Sequence, residues 1–166
     1  YWRDWSSDVC SSDLRTVIVI HPRERRSKCS VEPLRQNPEY LFTTFPHPVP
    51  VDLTGYVRLG IGGPLLSESD AGCGLLLLDG TWKRAASMLQ SYQHLPVRSL
   101  PAVQTAYPRK SEIYEDPEGG LATIEALYAA LRILGRPTHG LLDSYYWRRQ
   151  FLALNGWENS AEFPET

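Results

Sequence analysis

The sequence predicts an α/β fold, a mostly parallel sheet covered by helices, and three observations predict it. Short β-branched or leucine-rich runs alternate along the chain with amphipathic segments of three- and four-residue period. The strongest strand candidate, Gly74 to Leu78, carries four consecutive leucines, the pattern of a strand buried on both faces and therefore central in a sheet. The 166 residues contain no internal repeat and no linker long enough to separate two domains.

In chain order, Thr16 to Ile20 is a β-branched strand stopped by His21-Pro22. Tyr40 to Phe45 is a second strand, ended by the proline-broken stretch Pro46 to Pro50. Tyr56 to Ile61 reads as an exposed strand or loop edge, and Gly74 to Leu78 as the mid-sheet strand. From Trp82 the period changes: Trp82, Ala85, Ala86, Leu89 and Tyr92 form one apolar helical face. Leu121, Ile124, Leu127, Tyr128, Leu131 and Leu134 mark a longer helix closed by Gly135 and Pro137. Leu141 to Leu154 reads as a third helix, and residues 159–166 as a polar tail.

No apolar run approaches the roughly 20 residues of a membrane-spanning helix, and no secretory signal is evident, so a soluble, cytoplasmic protein without a membrane partner is expected. Residues 1–14, with Asp8-Val9-Cys10-Ser11-Ser12-Asp13-Leu14, resemble a translated sequencing adapter and are set aside as a non-native scar, leaving a single domain over 15–158. Without them the charged residues fall from 17 basic and 19 acidic to 16 of each, so the domain is neutral overall. Cys29 and Cys73 remain, 44 positions apart with no Cys-x-x-Cys pair, which argues against a complete zinc site and gives no metal ligands.

Three constellations could carry chemistry. Leu78-Asp79-Gly80-Thr81-Trp82 lies at the junction of the buried strand and a helix, where ligands of open α/β sheets collect; equally, Asp79 or Thr81 could simply cap that helix. Pro117 to Glu125, with Gly119 and Gly120 ahead of a helix, could offer free N–H groups and the helix dipole to a carboxylate or phosphate, or could be an ordinary glycine turn. The third is basic: His21, Arg23, Arg25, Arg26 and Lys28 follow the first strand, Arg109 and Lys110 follow Tyr107-Pro108, and Arg148 and Arg149 follow Tyr145-Tyr146-Trp147. Such clusters suit RNA phosphates with aromatics for unpaired bases, although charge runs also occur as plain solvated surface. Gly60-Ile61-Gly62-Gly63 lacks both the third glycine of a dinucleotide fingerprint and the Gly-Lys-Ser/Thr of a P-loop, and no Gly-x-Ser-x-Gly elbow exists.

Taken in order, His21-Pro22-Arg23-Glu24, Asp79-Gly80-Thr81-Trp82, Tyr107-Pro108-Arg109-Lys110 and Gly120 to Leu127 resemble the DTW-domain family over roughly residues 15 to 135. Lys28-Cys29-Ser30 and the tail Phe151-Leu152-Ala153-Leu154-Asn155 are more similar to the related ribosomal-RNA aminocarboxypropyltransferases. The resemblance implies a SPOUT-like fold with a C-terminal trefoil knot, S-adenosylmethionine as co-substrate, and transfer of its 3-amino-3-carboxypropyl group to a uridine-type base, most simply in tRNA. Ribosomal RNA as acceptor, methyl transfer, and a non-catalytic RNA-binding or ribosome-assembly role are the alternatives. On this reading Asp79 is the base. Thr81, Trp82, Gly119, Gly120, Leu121, Thr123 and Glu125 hold the donor, and His21, Arg23, Arg25, Arg26, Lys28, Tyr107, Arg109 and Lys110 hold RNA. The chain departs from the DTW pattern in lacking the N-terminal cysteine cluster that many members carry, which leaves metal dependence open.

Overall fold

The computed structural model describes residues 14–108 and 120–159. Five strands, β1 (Thr16–Ile20), β2 (Tyr40–Thr44), β3 (Tyr56–Leu59), β4 (Gly74–Asp79) and β5 (Val97–Arg98), form one sheet in the order β2-β1-β4-β3-β5 with every pairing parallel. Helices α1 (Trp82–Tyr92), α2 (Thr123–Ile133) and α3 (Arg148–Leu154) complete the regular structure, with 3₁₀ turns at Arg26–Lys28, Glu32–Gln36 and Glu68–Asp70.

The continuous apolar runs follow from burial on both faces. Ile18, Ile20, Leu75 and Leu77 point to one side, where α2 contributes Ile124, Leu127, Tyr128 and Leu131 and α3 contributes Phe151 and Leu152. Their neighbours Val17, Val19 and Leu76 point to the other, against Met88 and Tyr92 of α1. A side chain fully buried in this way contributes roughly 1.5–3 kcal/mol relative to exposure, so the two runs pin the central strands by apolar burial alone. Because β1 and β4 are adjacent and in register, Ile20 beside Asp79, their carboxyl ends and the loops that leave them stand together.

Four sequence expectations change. Tyr56 to Ile61 is no exposed edge: Tyr56 and Val57 are buried and β3 is flanked by β4 and by β5, a two-residue strand too short for a periodicity to reveal. The buried stripe of α1 runs through Met88 and Tyr92, whereas Ala86 and Leu89 face solvent, because stepping back from Tyr92 at helical spacing meets Met88 and Ala85 instead. The third helix is confined to Arg148–Leu154, and residues 141–147 form turns closed by Leu141, Asp143 and Tyr145 N–H groups bonding three residues back. Leu141 and Leu142 are both buried there all the same, so the turns keep the apolar contacts that the sequence pattern places on a helix. Leu14, set aside with the scar, packs against the smaller core cluster. Residues 109–119, on the path from β5 to α2, lie outside the described residues. Among the described residues no helix is long and apolar enough to cross a membrane.

Candidate functional site

Asp79 ends β4 at the carboxyl edge of the sheet and is 4% exposed. Its backbone carbonyl accepts the His21 N–H at 3.0 Å, which extends the β1–β4 ladder by one residue into the basic loop. Its carboxylate accepts two hydrogen bonds, from the Thr123 hydroxyl to Oδ1 at 2.6 Å and from the Cys29 thiol to Oδ2 at 3.0 Å. Thr123 is the first residue of α2, and the next N–H of that helix, Ile124, donates to Ser30 Oγ at 3.2 Å. Three stretches far apart in sequence, the end of β4, the Cys29-Ser30 segment and the start of α2, are thereby tied at one point. Among the described residues no cationic side chain forms an ion pair with Asp79, so neutral donors alone hold this carboxylate.

Burial and the neighbouring Asp79 carboxylate push the Cys29 thiol up to about 12. The thiol therefore keeps its proton near neutral pH and donates it in the hydrogen bond to Asp79. Relative to the ordinary value of 9.0, this leaves about 10³-fold less thiolate at pH 8, so Cys29 is expected to alkylate at least that much more slowly in the folded protein than in denaturant. Peptide mapping after iodoacetamide treatment checks this, and comparable rates in the two states would show that the Cys29–Asp79 contact is not maintained. The same shift has a sign for stability: a folded-state value above the unfolded one stabilises fully below pH about 9, and the contribution declines as pH rises toward 12.

The residues around this point divide by position. Thr81 is the N-cap of α1, its hydroxyl accepting the Arg84 N–H at 3.4 Å, so the cap is Thr81 and not Asp79. Gly80 between them has φ +155°, and a Cβ there would meet His21 Cβ at 3.3 Å and Arg84 Cβ at 3.2 Å; glycine lets the β1 loop and α1 close on Asp79. Trp82 opens α1 and is partly buried, and Gly120 and Leu121, also partly buried, lead into α2. Gly119, Arg109 and Lys110 lie outside the described residues.

Glu125 is a correction. It is 0% exposed, and its carboxylate is consumed internally by the Thr105 hydroxyl at 2.6 Å, the Ala106 N–H at 2.9 Å, the Ala122 N–H at 3.0 Å and the Tyr145 hydroxyl at 3.0 Å. It has no surface to offer a donor and instead anchors the start of α2.

In the basic loop Arg23, Arg25, Arg26 and Lys28 are exposed, and the 3.8 Å approach of Arg26 to Glu32 leaves its side chain 80% exposed. Glu24 instead pairs with Arg84 at 2.9 Å, fastening the loop to α1. His21 accepts the Arg23 N–H on Nδ1 at 3.1 Å, and burial together with Arg84 and Arg23 lowers its pKa, which favours the neutral ring with its proton on Nε2. His21 thus differs from its charged neighbours as a phosphate ligand. A cavity of about 220 Å³ lies here, lined by Ile20, His21, Glu24, Cys29 and Thr44 among others. Tyr107 is 42% exposed and meets the Trp147 ring edge-on at 5.2 Å. Cys29, Ser30 and Tyr145 were not foreseen in these positions, since partners 20 to 94 residues apart leave no local spacing signal. Among the described residues no group of three His, Cys, Asp or Glu side chains could hold a metal ion.

The structure is similar to that of the SAM-dependent rRNA:acp-transferase Tsr3 from Vulcanisaeta distributa, with a TM-score of 0.62 and 24% identity over 86% of this chain and 79% of that one, a likeness of fold. No curated protein matches the chain. The DTW domain family model matches residues 6–151, a span that begins inside the stretch set aside above and takes in β1 to β5, α1, α2 and the Asp79 centre. The chain belongs to the DTW domain family.

Proposed function

We propose that this protein transfers the 3-amino-3-carboxypropyl group of S-adenosylmethionine to a uridine base of RNA, with a tRNA as acceptor. The observation that carries the reading is the 2.6 Å bond between Thr123 and Asp79, which joins a helix N-terminus to a buried carboxylate that has no cationic partner among the described residues. That pairing suits a donor bearing both signs of charge: the positive end of α2 suits the donor's carboxylate, and the Asp79 anion suits its positive charge. Membership in the DTW family and the fold shared with a SAM-dependent rRNA acp-transferase support the same class of reaction. The DTW-type motifs along residues 15 to 135 favour tRNA over ribosomal RNA.

When bound, S-adenosylmethionine supplies an electrophilic methylene carbon next to sulfonium sulfur. The chain's own residues do the rest. Asp79 takes the proton from the imide nitrogen of the uracil ring as that nitrogen attacks the methylene carbon, whose bond to sulfur breaks with its electron pair passing to sulfur so that neutral methylthioadenosine leaves. The Thr123 and Cys29 donors fix the two Asp79 oxygens in orientation. Trp82, partly buried at the start of α1, forms an apolar wall for the adenosyl moiety or the methyl group of the donor. Arg23, Arg25, Arg26 and Lys28 neutralise RNA phosphates on the β1 side of the centre.

The test is incubation with separated tRNA and ribosomal RNA and S-adenosylmethionine labelled in either its carboxyl or its methyl group. Carboxyl label in tRNA uridine, identified by nucleoside mass spectrometry, is the expected result. Carboxyl label in ribosomal RNA alone would move the acceptor, methyl label would make the protein a methyltransferase, and binding of RNA without label would leave a non-catalytic module.

A further inference from the structure

The three rings of Tyr145-Tyr146-Trp147 have different surroundings. Tyr145 is buried, and its hydroxyl donates to Glu125 Oε1 at 3.0 Å. Trp147, the residue just before α3, is partly buried against the larger core and meets Tyr145, Tyr107 and Tyr146 edge-on, at centroid distances of 5.9, 5.2 and 5.1 Å. Tyr146 is left 86% exposed, the most exposed of the large apolar side chains among the described residues. A single exposed ring needs no explanation, but Tyr146 is not single: Tyr107, 42% exposed, rests on the same tryptophan. Two exposed rings therefore share one support that the Tyr145–Glu125 bond ties to the interior.

Their position indicates what they meet. The rings belong to the face of the sheet that α2 covers, which is also the face of the Asp79 carboxylate. Glu125, which takes the Tyr145 hydroxyl, also takes the N–H of Ala106, one residue before Tyr107, and lies two residues beyond Thr123, whose hydroxyl binds Asp79. Side chains two apart leave a helix on nearly opposite sides, so the rings stand across the first turn of α2 from Asp79, a helix width of roughly 10 Å or more. That is too far for the base under modification and suits another base of the same strand. Arg149, two residues after Trp147, is exposed and forms no ion pair among the described residues, whereas Arg148 pairs with Asp143 at 3.2 Å. Exposed rings beside such a cation match single-stranded nucleic acid, whose bases stack on aromatic faces while its phosphates meet the charge.

We propose that Tyr146, backed by Trp147, is a stacking surface for an unpaired base of the acceptor RNA outside the reaction centre, with Arg149 against the adjoining phosphate. The assignment rests on the reading of the protein as one that acts on RNA, and it gives the tail aromatics and Arg149 a role that the transfer step itself does not use.

Two fluorescent single-stranded RNA oligonucleotides serve as probes, one with a uridine flanked by adenosines and one with the flanking positions abasic. Tyr146→Ala should weaken binding of the intact probe by about 5–150-fold, the loss of one base–aromatic stack, with no change in the salt slope of log affinity, while Tyr146→Phe keeps the affinity. On the abasic probe the wild-type and Ala proteins should bind alike, because the base that the ring would hold is gone. Arg149→Gln should instead lower the salt slope by roughly 0.7, the mark of one phosphate contact on a single strand. The melting temperature and S-adenosylmethionine affinity of Tyr146→Ala should match wild type, since the ring is exposed and apart from the donor. An unchanged affinity of Tyr146→Ala for the intact probe overturns the assignment and leaves the patch to a protein partner. An equal loss on both probes overturns the stacking, an unchanged slope in Arg149→Gln overturns the phosphate contact, and a loss confined to S-adenosylmethionine would place the ring at the donor. A wild-type protein that binds neither probe would instead defeat the functional reading beneath the assignment.

Discussion

Asp79→Asn is expected to lower turnover by about 10²–10⁴-fold, the usual contribution of a positioned general base, while the protein folds normally. The reason the fold should survive lies in the two donors. The Thr123 hydroxyl and Cys29 thiol can each rotate their hydrogen, so an amide can accept from one and donate to the other in place of the carboxylate's two bonds. The melting temperature should therefore move by no more than about 2–4 °C, the equivalent of roughly 1 kcal/mol in a domain of this size. A capping role would have made Asn a near-perfect substitute, but Thr81 holds the cap, so a loss of activity in this variant reports on chemistry. Single-turnover kinetics with donor affinity measured separately distinguish two uses of the carboxylate. A fall in rate at unchanged donor affinity is the signature of a base. A fall in donor affinity at an unchanged single-turnover rate would make Asp79 the counter-charge of the donor and retire it as a base.

How much of this was legible in the sequence depended on whether the determining contacts are local. Thr16–Ile20 and Gly74–Asp79 stand out because burial on both faces writes an uninterrupted apolar run, and α2 stands out because a strong helical period is closed by Gly135, whose φ is +66°. The parallel sheet follows from the alternation of such segments. Residues 141–147 differ for the opposite reason: their apolar spacing fits a helix, but Leu141, Leu142 and Tyr145 all enter the larger core from turns, with the Tyr145 hydroxyl bound to Glu125, and tertiary packing overrides the period. The site behaved likewise. Asp79 and Thr123 each drew attention from their own junctions, yet that they touch is decided by the crossing of α2 over the end of β4. Cys29 and Ser30, 50 and 94 residues from their partners, carried no spacing signal. Glu125 was misread because a first-turn glutamate is ordinarily exposed at a helix start, and nothing nearby in sequence announces that Thr105, Ala106 and Tyr145 converge on it.

Glu125 carries the other large expected effect, this time on stability. Each carboxylate oxygen accepts one backbone N–H and one hydroxyl: Oε1 takes Ala106 N–H and the Tyr145 hydroxyl, and Oε2 takes Ala122 N–H and the Thr105 hydroxyl. Glu125→Ala leaves all four without their acceptor, the Ala106 N–H and the Tyr145 hydroxyl in buried surroundings, and a loss of roughly 3–5 kcal/mol is expected, at the severe end for a single substitution. Glu125→Gln is the sharper probe. The hydroxyls can turn to accept from an amide, but the two backbone N–H groups cannot, and either orientation of the glutamine amide aims its NH₂ at one of them. One backbone donor is then unmet, so Gln should cost about 1–3 kcal/mol despite its near-identical shape. At about 2–4 °C per kcal/mol, thermal melts should place Gln roughly 2–12 °C below wild type and Ala lower still. A Gln variant as stable as wild type would show that the buried acceptor set is not as described and would return Glu125 to the ligand-facing side of the helix. Because Ala122 and Ala106 flank the start of α2 that carries Thr123, the Gln variant should also lose some donor affinity at temperatures where it is fully folded. The loss would come from a displaced Thr123, since Glu125 itself reaches no ligand.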